Sequence, residues 1–200
     1  ALTVIATGAI TQLGALVQAV GTEGAALTVA RFETAGAAIT LDHNDNVLTQ
    51  AVSAQNTGVH TIHFVNSTHL VLDDVQTAGD FTLHVDGALT QSANGVSVGG
   101  LTDMTAKSIR LGNNPSFSTE EVRFDSDGLA EINFTQGNNA KIVGTNTADS
   151  LILRADGVIN MKTDASVTVT GDASIKADNL NNENAAITLG TAAAEVFSIG

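Results

Sequence analysis

The stretch LTVIATGAITQ at residues 2–12 decides the fold, because the chain repeats it twice. FTLHVDGALTQ follows at residues 81–91 and LILRADGVINM at residues 151–161. The second interval between copies is shorter than the first, so the copies follow no strict period. Each copy has a glycine at the same place, namely Gly8, Gly87 and Gly157. Self-similarity of this kind predicts a repeat architecture.

Each copy also alternates apolar and polar residues with a period of two, which is the pattern of a half-buried β-strand. The equivalent apolar positions are Leu2 and Val4, Phe81 and Leu83, and Leu151 and Leu153. The same alternation continues along the chain and is separated by turn residues such as Gly, Asn and Asp. We therefore predict an all-β chain whose equivalent aliphatic residues stack inside. The three glycines are expected at corners that need a positive φ or a close backbone approach.

Two β architectures can hold such repeats. Tandem β-sandwich adhesin domains are one alternative, but sandwich cores usually contain a large aromatic residue and this chain has no Trp. A β-solenoid suits short aliphatic strands and repeats that merge without a linker. We predict a parallel β-helix of roughly nine coils with about 20–25 residues each. It would form a single segment over residues 1–200, with internal repeats at approximately 2–80, 81–150 and 151–200.

The charge of the chain narrows the possible partners. Its 21 acidic residues outnumber the eight Lys and Arg residues, which gives a formal net charge of −13. Nucleic-acid binding needs a basic surface, so we expect no nucleic-acid partner, and we expect no membrane insertion because no 18-residue apolar run is present. The chain contains no Cys, which excludes disulfides and thiol chemistry. Since it begins with Ala1, we expect a processed product or a piece of a longer protein.

The amino-acid sequence of the repeats is similar to that of a known family. LTVIATGAITQ at residues 2–12 and AGAAITLDHNDN at residues 35–46 resemble the repeats of giant bacterial surface proteins, the filamentous-haemagglutinin-like adhesins. The resemblance covers essentially the whole chain and is clearest over residues 2–48 and 81–114. It implies a right-handed parallel β-helix shaft, secretion, an extracellular or cell-surface location, and a role in adhesion or display. It implies no catalytic residues.

Candidate sites for chemistry are few. Asp42, Asn44 and Asn46 imitate the start of a calcium loop, but Val47 and Ser53 stand where an EF-hand needs Gly and Glu. We therefore expect at most weak Ca²⁺ binding there, and no other cofactor or metal. Asp125 and Asp127, with Arg123 beside them, could serve acid–base chemistry on a polysaccharide, because alternate residues of a strand share a face. Sugar-binding Trp and Tyr are absent, so we predict no catalytic residues and no enzyme.

These observations favour a structural role. We predict a non-enzymatic shaft segment of an extracellular bacterial surface fibre or adhesin. Its two ends, ALTVIA and AEVFSIG, lack polar caps, so each is expected to abut further β-helix of the same or another chain. A host or cell-surface glycan or protein is a further expected partner. The alternative is a polysaccharide-binding or polysaccharide-cleaving module on the same scaffold.

Overall fold

The computed structural model describes residues 1–18, 29–92, 94–112, 116–134, 139–177, 186–189 and 196–199. This part of the chain contains strands and turns and no helix. Accordingly, no described helix is long and apolar enough to cross a membrane. The strands are β1 Leu2–Ala6, β2 Ile10–Thr11, β3 Ala30–Thr34, β4 Ile39–Leu41, β5 Ala51–Asn56, β6 Ile62–Asn66, β7 Leu70–Thr77, β8 Phe81–Gln91, β9 Val96–Leu111, β10 Phe117–Ser126, β11 Leu129–Phe134, β12 Ala140–Ile142, β13 Thr145–Ala148, β14 Ser150–Ala155, β15 Ile159–Met161, β16 Ser166–Val169, β17 Ala173–Ala177, β18 Ile187–Thr188 and β19 Val196–Ile199.

Parallel pairing between successive turns forms a β-solenoid. β1 pairs with β3, β3 with β5, and β5 with β7, each in parallel register. Every other pairing between the described strands is also parallel, as in β14 with β11 and β17. Antiparallel meanders and Greek keys are the basis of β-sandwiches, so the sandwich alternative is wrong for this chain. The predicted all-β solenoid is confirmed.

The strands form three parallel stacks, which we call the first, second and third faces. The first face contains β1, β3, most of β5, the end of β7 and the start of β9 and β10. The second contains β4, β6, the start of β8, the middle of β9 and the end of β10. The third contains the end of β8, the end of β9, β11, β14 and β17. The long strand β9 contributes to all three faces in one unbroken run.

The turns are regular in length across the middle of the solenoid. One first-face ladder runs through Phe32, Ala54, Val75, Val96 and Phe117, which pair in register from turn to turn. Their even spacing gives a turn of about 21 residues, a period typical of solenoids. This turn length lies within the predicted range. About seven turns are stacked in this way, and the predicted number of roughly nine is close to it. The right-handed winding stays a prediction, in keeping with the strong preference for right-handed parallel crossovers.

A single apolar core runs through all of these turns. It extends from Ile10 to Val169 as one contact cluster, and Val4 packs against its first turn. Phe64 lies at the centre of an aromatic group, with its ring centroid 6.2 Å from that of Phe32 and 6.0 Å from that of Phe81, in edge-to-face geometry. Since each turn shares its interior with the next, no turn can bury its apolar face alone.

The three copies of the opening phrase lie on three different faces and do not stack on one another. From Val4 the first-face ladder passes Phe32, Ala54 and Val75 before the chain reaches Leu83 on the second face. From one copy of the phrase to the next, the chain therefore advances by three turns and one face. In the same way, Leu153 of the third copy pairs with Ile132 and Ile175 on the third face.

Even so, the apolar positions of the three copies share one core. Phe81, Leu83, Leu151 and Leu153 are buried, and Val4 is half-buried against the same cluster. Leu2 occupies an interior register position opposite the buried Ala30, but it is 39% exposed because it lies in the first turn. The eleven-residue phrase thus forms the end of one strand, the bend after it and the start of the next strand. It can occupy any of the three corners of the solenoid.

Candidate functional site

The proposed calcium residues lie at a corner of the solenoid, and one of them is interior. Asn46 is fully buried, whereas Asp42 and Asn44 are exposed. The Asn46 Oδ1 atom accepts hydrogen bonds from Leu16 N and Gln12 Nε2, both at 2.8 Å. Its Nδ2 atom donates to Val65 O at 3.0 Å, in the following turn, and to Leu41 O at 3.2 Å. Both ends of the Asn46 carboxamide are engaged in hydrogen bonds within the fold, which argues against Asn46 as a calcium ligand. Weak Ca²⁺ binding by Asp42 and Asn44 stays a prediction.

The same use of asparagine recurs at other corners. Asn66 Oδ1 accepts from Leu48 N at 2.8 Å, and Asn146 Oδ1 accepts from Phe124 N at 2.9 Å. Asn146 Nδ2 also donates to Ser166 O at 2.9 Å, so this one side chain joins three turns. All three asparagines are fully buried. They act as staples between turns.

The glycines of the three copies differ in their surroundings. A Cβ atom on Gly87 would lie 2.5 Å from His69 N and 2.8 Å from Thr68 C, so this corner does require a close backbone approach. A Cβ atom on Gly8 would meet nothing within 4 Å, and Gly8 has no positive φ. Gly157 is buried in the bend between β14 and β15. The shared glycine therefore has a steric reason in the second copy and none in the first.

The carboxylates considered for polysaccharide chemistry lie on the second face. Asp125 and Asp127 line one cavity of about 380 Å³ with His84, Asp86 and Lys107. Asp125 Oδ1 accepts a hydrogen bond from Thr147 Oγ1. Arg123 is outside this cavity lining, and its Nη1 atom donates to Asp103 Oδ1 at 2.6 Å. The two carboxylates thus line the same cavity, but the arginine is held by Asp103.

Within the described ranges, no group of three or more His, Asp or Glu side chains is placed to hold a metal ion. The nearest approach of a histidine to a carboxylate on the second face is that of His84 Nε2 to Asp86 Oδ1 at 3.4 Å, within a single strand. Both side chains are more than half exposed, so this is a surface contact rather than a coordination site.

A charge cluster joins three turns around Glu121. Its Oε1 atom lies 2.7 Å from Lys141 Nζ and 3.0 Å from Lys162 Nζ. The hydrogen bond from Lys141 is the main reason why the pKa of Glu121 lies below its ordinary value of 4.5. In return, Glu121 raises the pKa of Lys141 above 10.5. These groups hold three successive turns together.

A groove, which we call the first-face groove, runs along the outside of the first face parallel to the solenoid axis. Its wall is mainly apolar from the first turn to the third and mainly polar from the third turn to the fifth. Two neighbouring cavities of about 340 Å³ each make up the groove. They adjoin at Gln55 and Thr57, which line both. Successive turns contribute equivalent residues to its wall. The lining residues are Ile5, Ala6, Thr7, Glu33, Thr34, Ala35, Gln55, Asn56, Thr57, Gln76, Thr77, Ala78, Ser97, Val98 and Gly99.

Sequence reasoning did not single out this groove, although a signal for it exists. Gln55 and Gln76 pair in register on successive turns, and Ser97 follows on the next turn. The spacing between these outward positions equals the length of a turn. Once the turn length is known, a row of polar residues at that spacing can be read from the sequence. The irregular spacing of the opening phrase concealed it.

Comparison with known proteins identifies a family for this chain. No curated protein and no solved structure matches it. A family profile described as repeats of unknown function (DUF5649) matches residues 1–55 and again residues 58–120. Each match covers more than two turns of the solenoid, so the family repeat is a unit of stacked turns. Two consecutive matches over more than half of the sequence show that the chain belongs to this family of repeats of unknown function, DUF5649.

Proposed function

We propose that this chain is a structural shaft segment of an extracellular bacterial surface fibre or adhesin, and that its role is mechanical. The observation that carries the proposal is the single core, which runs from Ile10 to Val169 without a break between turns. Parallel strand pairing on three faces joins each turn to the next, with hydrogen bonds directed along the axis. Axial tension would have to break the bonds of all three faces together, which suits a load-bearing rod.

Exposed apolar residues at the two end turns support stacking against further β-solenoid. Leu2, Ile187 and Ile199 stand in register with buried residues of the adjacent turn, namely Ala30, Ile159 and Val169. They point to the interior side, yet they are 39%, 45% and 57% exposed because no turn in the described part of the chain covers them. A further solenoid turn, from the same polypeptide or from a second copy, would bury them and pair the open strand edges.

A non-catalytic role agrees with the state of the polar groups. The Arg123 side chain is held by Asp103, Asp125 accepts from Thr147, and Glu121 is held by two lysines. The net charge of −13 would keep neighbouring rods apart laterally while their ends associate. The extracellular location rests on the resemblance of the repeats to filamentous-haemagglutinin-like adhesins.

Immunogold electron microscopy of intact bacteria that produce the protein tests this function. Antibodies raised against the 200-residue chain should label fibres outside the cell, in rows that follow the fibre axis. A matched strain that lacks the coding sequence is the control. Label confined to the cell interior, or label scattered over the surface without fibres, would contradict the proposal.

A further inference from the structure

We propose that the first-face groove binds a neutral polysaccharide chain that lies along the solenoid axis. This inference goes beyond the mechanical role of the shaft and does not depend on it. It also assigns the ligand to a different face from the carboxylates Asp125 and Asp127.

The shape of the groove suits an extended polymer. Five successive turns supply the same three positions, and adjacent turns of a parallel stack lie about 4.8 Å apart. The groove therefore extends over about 19 Å, counted as four such steps. One row of its wall carries long polar side chains such as Gln55 and Gln76. The other row carries small residues such as Ala35, Ala78 and Gly99, which leave the space open.

The two glutamines are oriented for a ligand by a shared carboxylate. Gln55 Nε2 donates to Asp74 Oδ2 at 2.6 Å, and Gln76 Nε2 donates to Asp74 Oδ1 at 3.0 Å. The Nε2 atom of each glutamine therefore faces Asp74. Neither Oε1 atom has a hydrogen bond to the described part of the chain. The hydroxyls of Thr57 and Ser97 likewise make no hydrogen bond to the described residues. The wall thus offers repeated acceptors and hydroxyls, which match the hydroxyl groups of sugars.

The charge of the groove favours a neutral ligand. Glu33 is the one ionisable residue of its lining, and Arg31 Nε donates to Glu33 Oε1 at 2.6 Å. Asp73 and Asp74 lie beside the groove, and the whole chain carries a net charge of −13. An acidic polysaccharide would be repelled by this field, and no unpaired carboxylate in the described lining calls for a cationic ligand.

A peptide is a poorer occupant than a polysaccharide. The strands that form the groove already use their backbone N–H and C=O groups in the parallel ladders. A peptide that follows the axis would cross these strands at a right angle and could not extend the sheet. A sugar chain needs no backbone pairing and presents hydroxyls at each step. Since no aromatic residue lines the groove, we expect binding to rest on hydrogen bonds and to be weak, with Kd of the order of 1 mM.

Two-dimensional ¹H–¹⁵N NMR titration of the 200-residue chain tests the proposal. The neutral probes are cellohexaose, maltohexaose and laminarihexaose, and hexagalacturonate is the acidic probe. We expect at least one neutral hexasaccharide to shift amide signals of residues 55–57, 76–78 and 97–99. The double variant Gln55→Ala with Gln76→Ala should weaken this binding about ten-fold, because two hydrogen bonds are lost. Thr168→Ala on the second face is the matched control and should leave binding unchanged.

A second variant keeps the test independent of the stability of the glutamine variant. Ala78→Arg fills the groove from the small-residue row and should abolish binding while the spectrum stays folded. The proposal is overturned if no neutral hexasaccharide shifts the groove signals, or if hexagalacturonate binds as well as the neutral probes. It is also overturned if the groove signals move with protein concentration alone, since a second copy of the chain would then be the occupant.

Discussion

At the scale of single residues, buried asparagines hold the corners of adjacent turns together. Asn46 satisfies the backbone N–H of Leu16 and the backbone carbonyl of Val65, which belong to the turns on either side of it. A buried polar group that loses its partner costs about 1–3 kcal/mol. The corner asparagines thus couple the turns through hydrogen bonds in addition to strand pairing.

Asn46→Ala should lower the free energy of unfolding by about 3 kcal/mol, because it removes a hydrogen bond to the buried Leu41 carbonyl and two to the partly buried Leu16 N–H and Val65 carbonyl. Asn44→Ala is the matched control, since Asn44 lies in the same turn and is exposed. It should change the free energy of unfolding by less than about 0.5 kcal/mol. Urea unfolding followed by circular dichroism measures both. Equal effects of the two substitutions would refute the role of Asn46 as a staple.

Glu121 gives the chain an acid-sensitive contact between turns. Its pKa is lowered in the folded state, first by the hydrogen bond from Lys141. Its stabilising contribution is therefore complete above the ordinary pKa of 4.5 and is lost as pH falls through the lower pKa of the folded state. Above that window, Glu121→Gln should cost about 1 kcal/mol, which is the upper range for an ion pair near the surface.

Urea unfolding of wild type and Glu121→Gln at a series of pH values checks this expectation. The difference between the two proteins should be constant near neutral pH and should shrink towards zero below pH 4.5. Glu120→Gln serves as the control, because the exposed Glu120 makes no hydrogen bond within the described residues and acts on Lys141 only through a weaker coulombic attraction. If the difference in free energy of unfolding between the two proteins stays constant down to the lowest pH measured, the charge of Glu121 is not its cause.

At the scale of elements, the repeated phrase is a corner module that fits between any two faces. Gln12 in the first copy donates to Asn46 Oδ1 at 2.8 Å, and Gln91 in the second accepts from Gly112 N at 2.9 Å. In both copies the last residue thus fastens the corner to the following turn. The third copy ends in Met161, which is buried instead. The phrase is reused because every corner poses a similar packing problem.

The glycines of the first two copies make a matched pair for a test of this module. Gly87→Ala should destabilise the fold by about 1–3 kcal/mol, since the added Cβ would lie 2.5 Å from His69 N and backbone would have to move. Gly8→Ala should be neutral or stabilising by up to about 1 kcal/mol, because its Cβ meets nothing and the unfolded chain loses freedom. Urea unfolding midpoints compare the two. Similar losses at both positions would contradict the steric difference.

Much of the fold could be predicted from the sequence because its physics is local. Alternating residues such as Phe81 and Leu83 identify strands, and the missing Trp and linkers favour a solenoid over sandwiches. The assignment of strands to faces could not be predicted in this way. The phrase returns after three turns and one face, so its two unequal offsets contain no whole number of turns. The buried position of Asn46 could not be predicted for a related reason. An asparagine that forms a turn and one that joins two turns from the interior look the same in the sequence.

At the scale of the whole molecule, the shared core makes neighbouring turns interdependent. The edge-to-face contacts of Phe64 with Phe32 and Phe81 join three consecutive turns. Stability in such an array comes from interfaces between neighbours, so an end turn has only one interface and is the weakest. A partner at the end turn would supply the missing interface. The proposed end-to-end association would rest on the same physics that holds the middle turns together.

Charge placed on an end turn should therefore prevent association. Leu2→Lys puts an ammonium group at an interior register position of the first turn, where a stacked turn would bury it without a partner. Ile199→Lys does the same in the last described turn. Sedimentation velocity over a range of concentrations should show wild-type assemblies that grow with concentration, and each variant should reduce their weight fraction at least about ten-fold.

Val59→Lys is the matched control for these end-turn variants. Val59 is 79% exposed and lies between β5 and β6, away from both end turns, so a charge there changes hydropathy without touching a proposed junction. It should leave the assemblies intact. If Val59→Lys dissolves them as well, the association is lateral and nonspecific. If the wild-type chain stays monomeric at every concentration, the proposed stacking of second copies on its end turns is refuted.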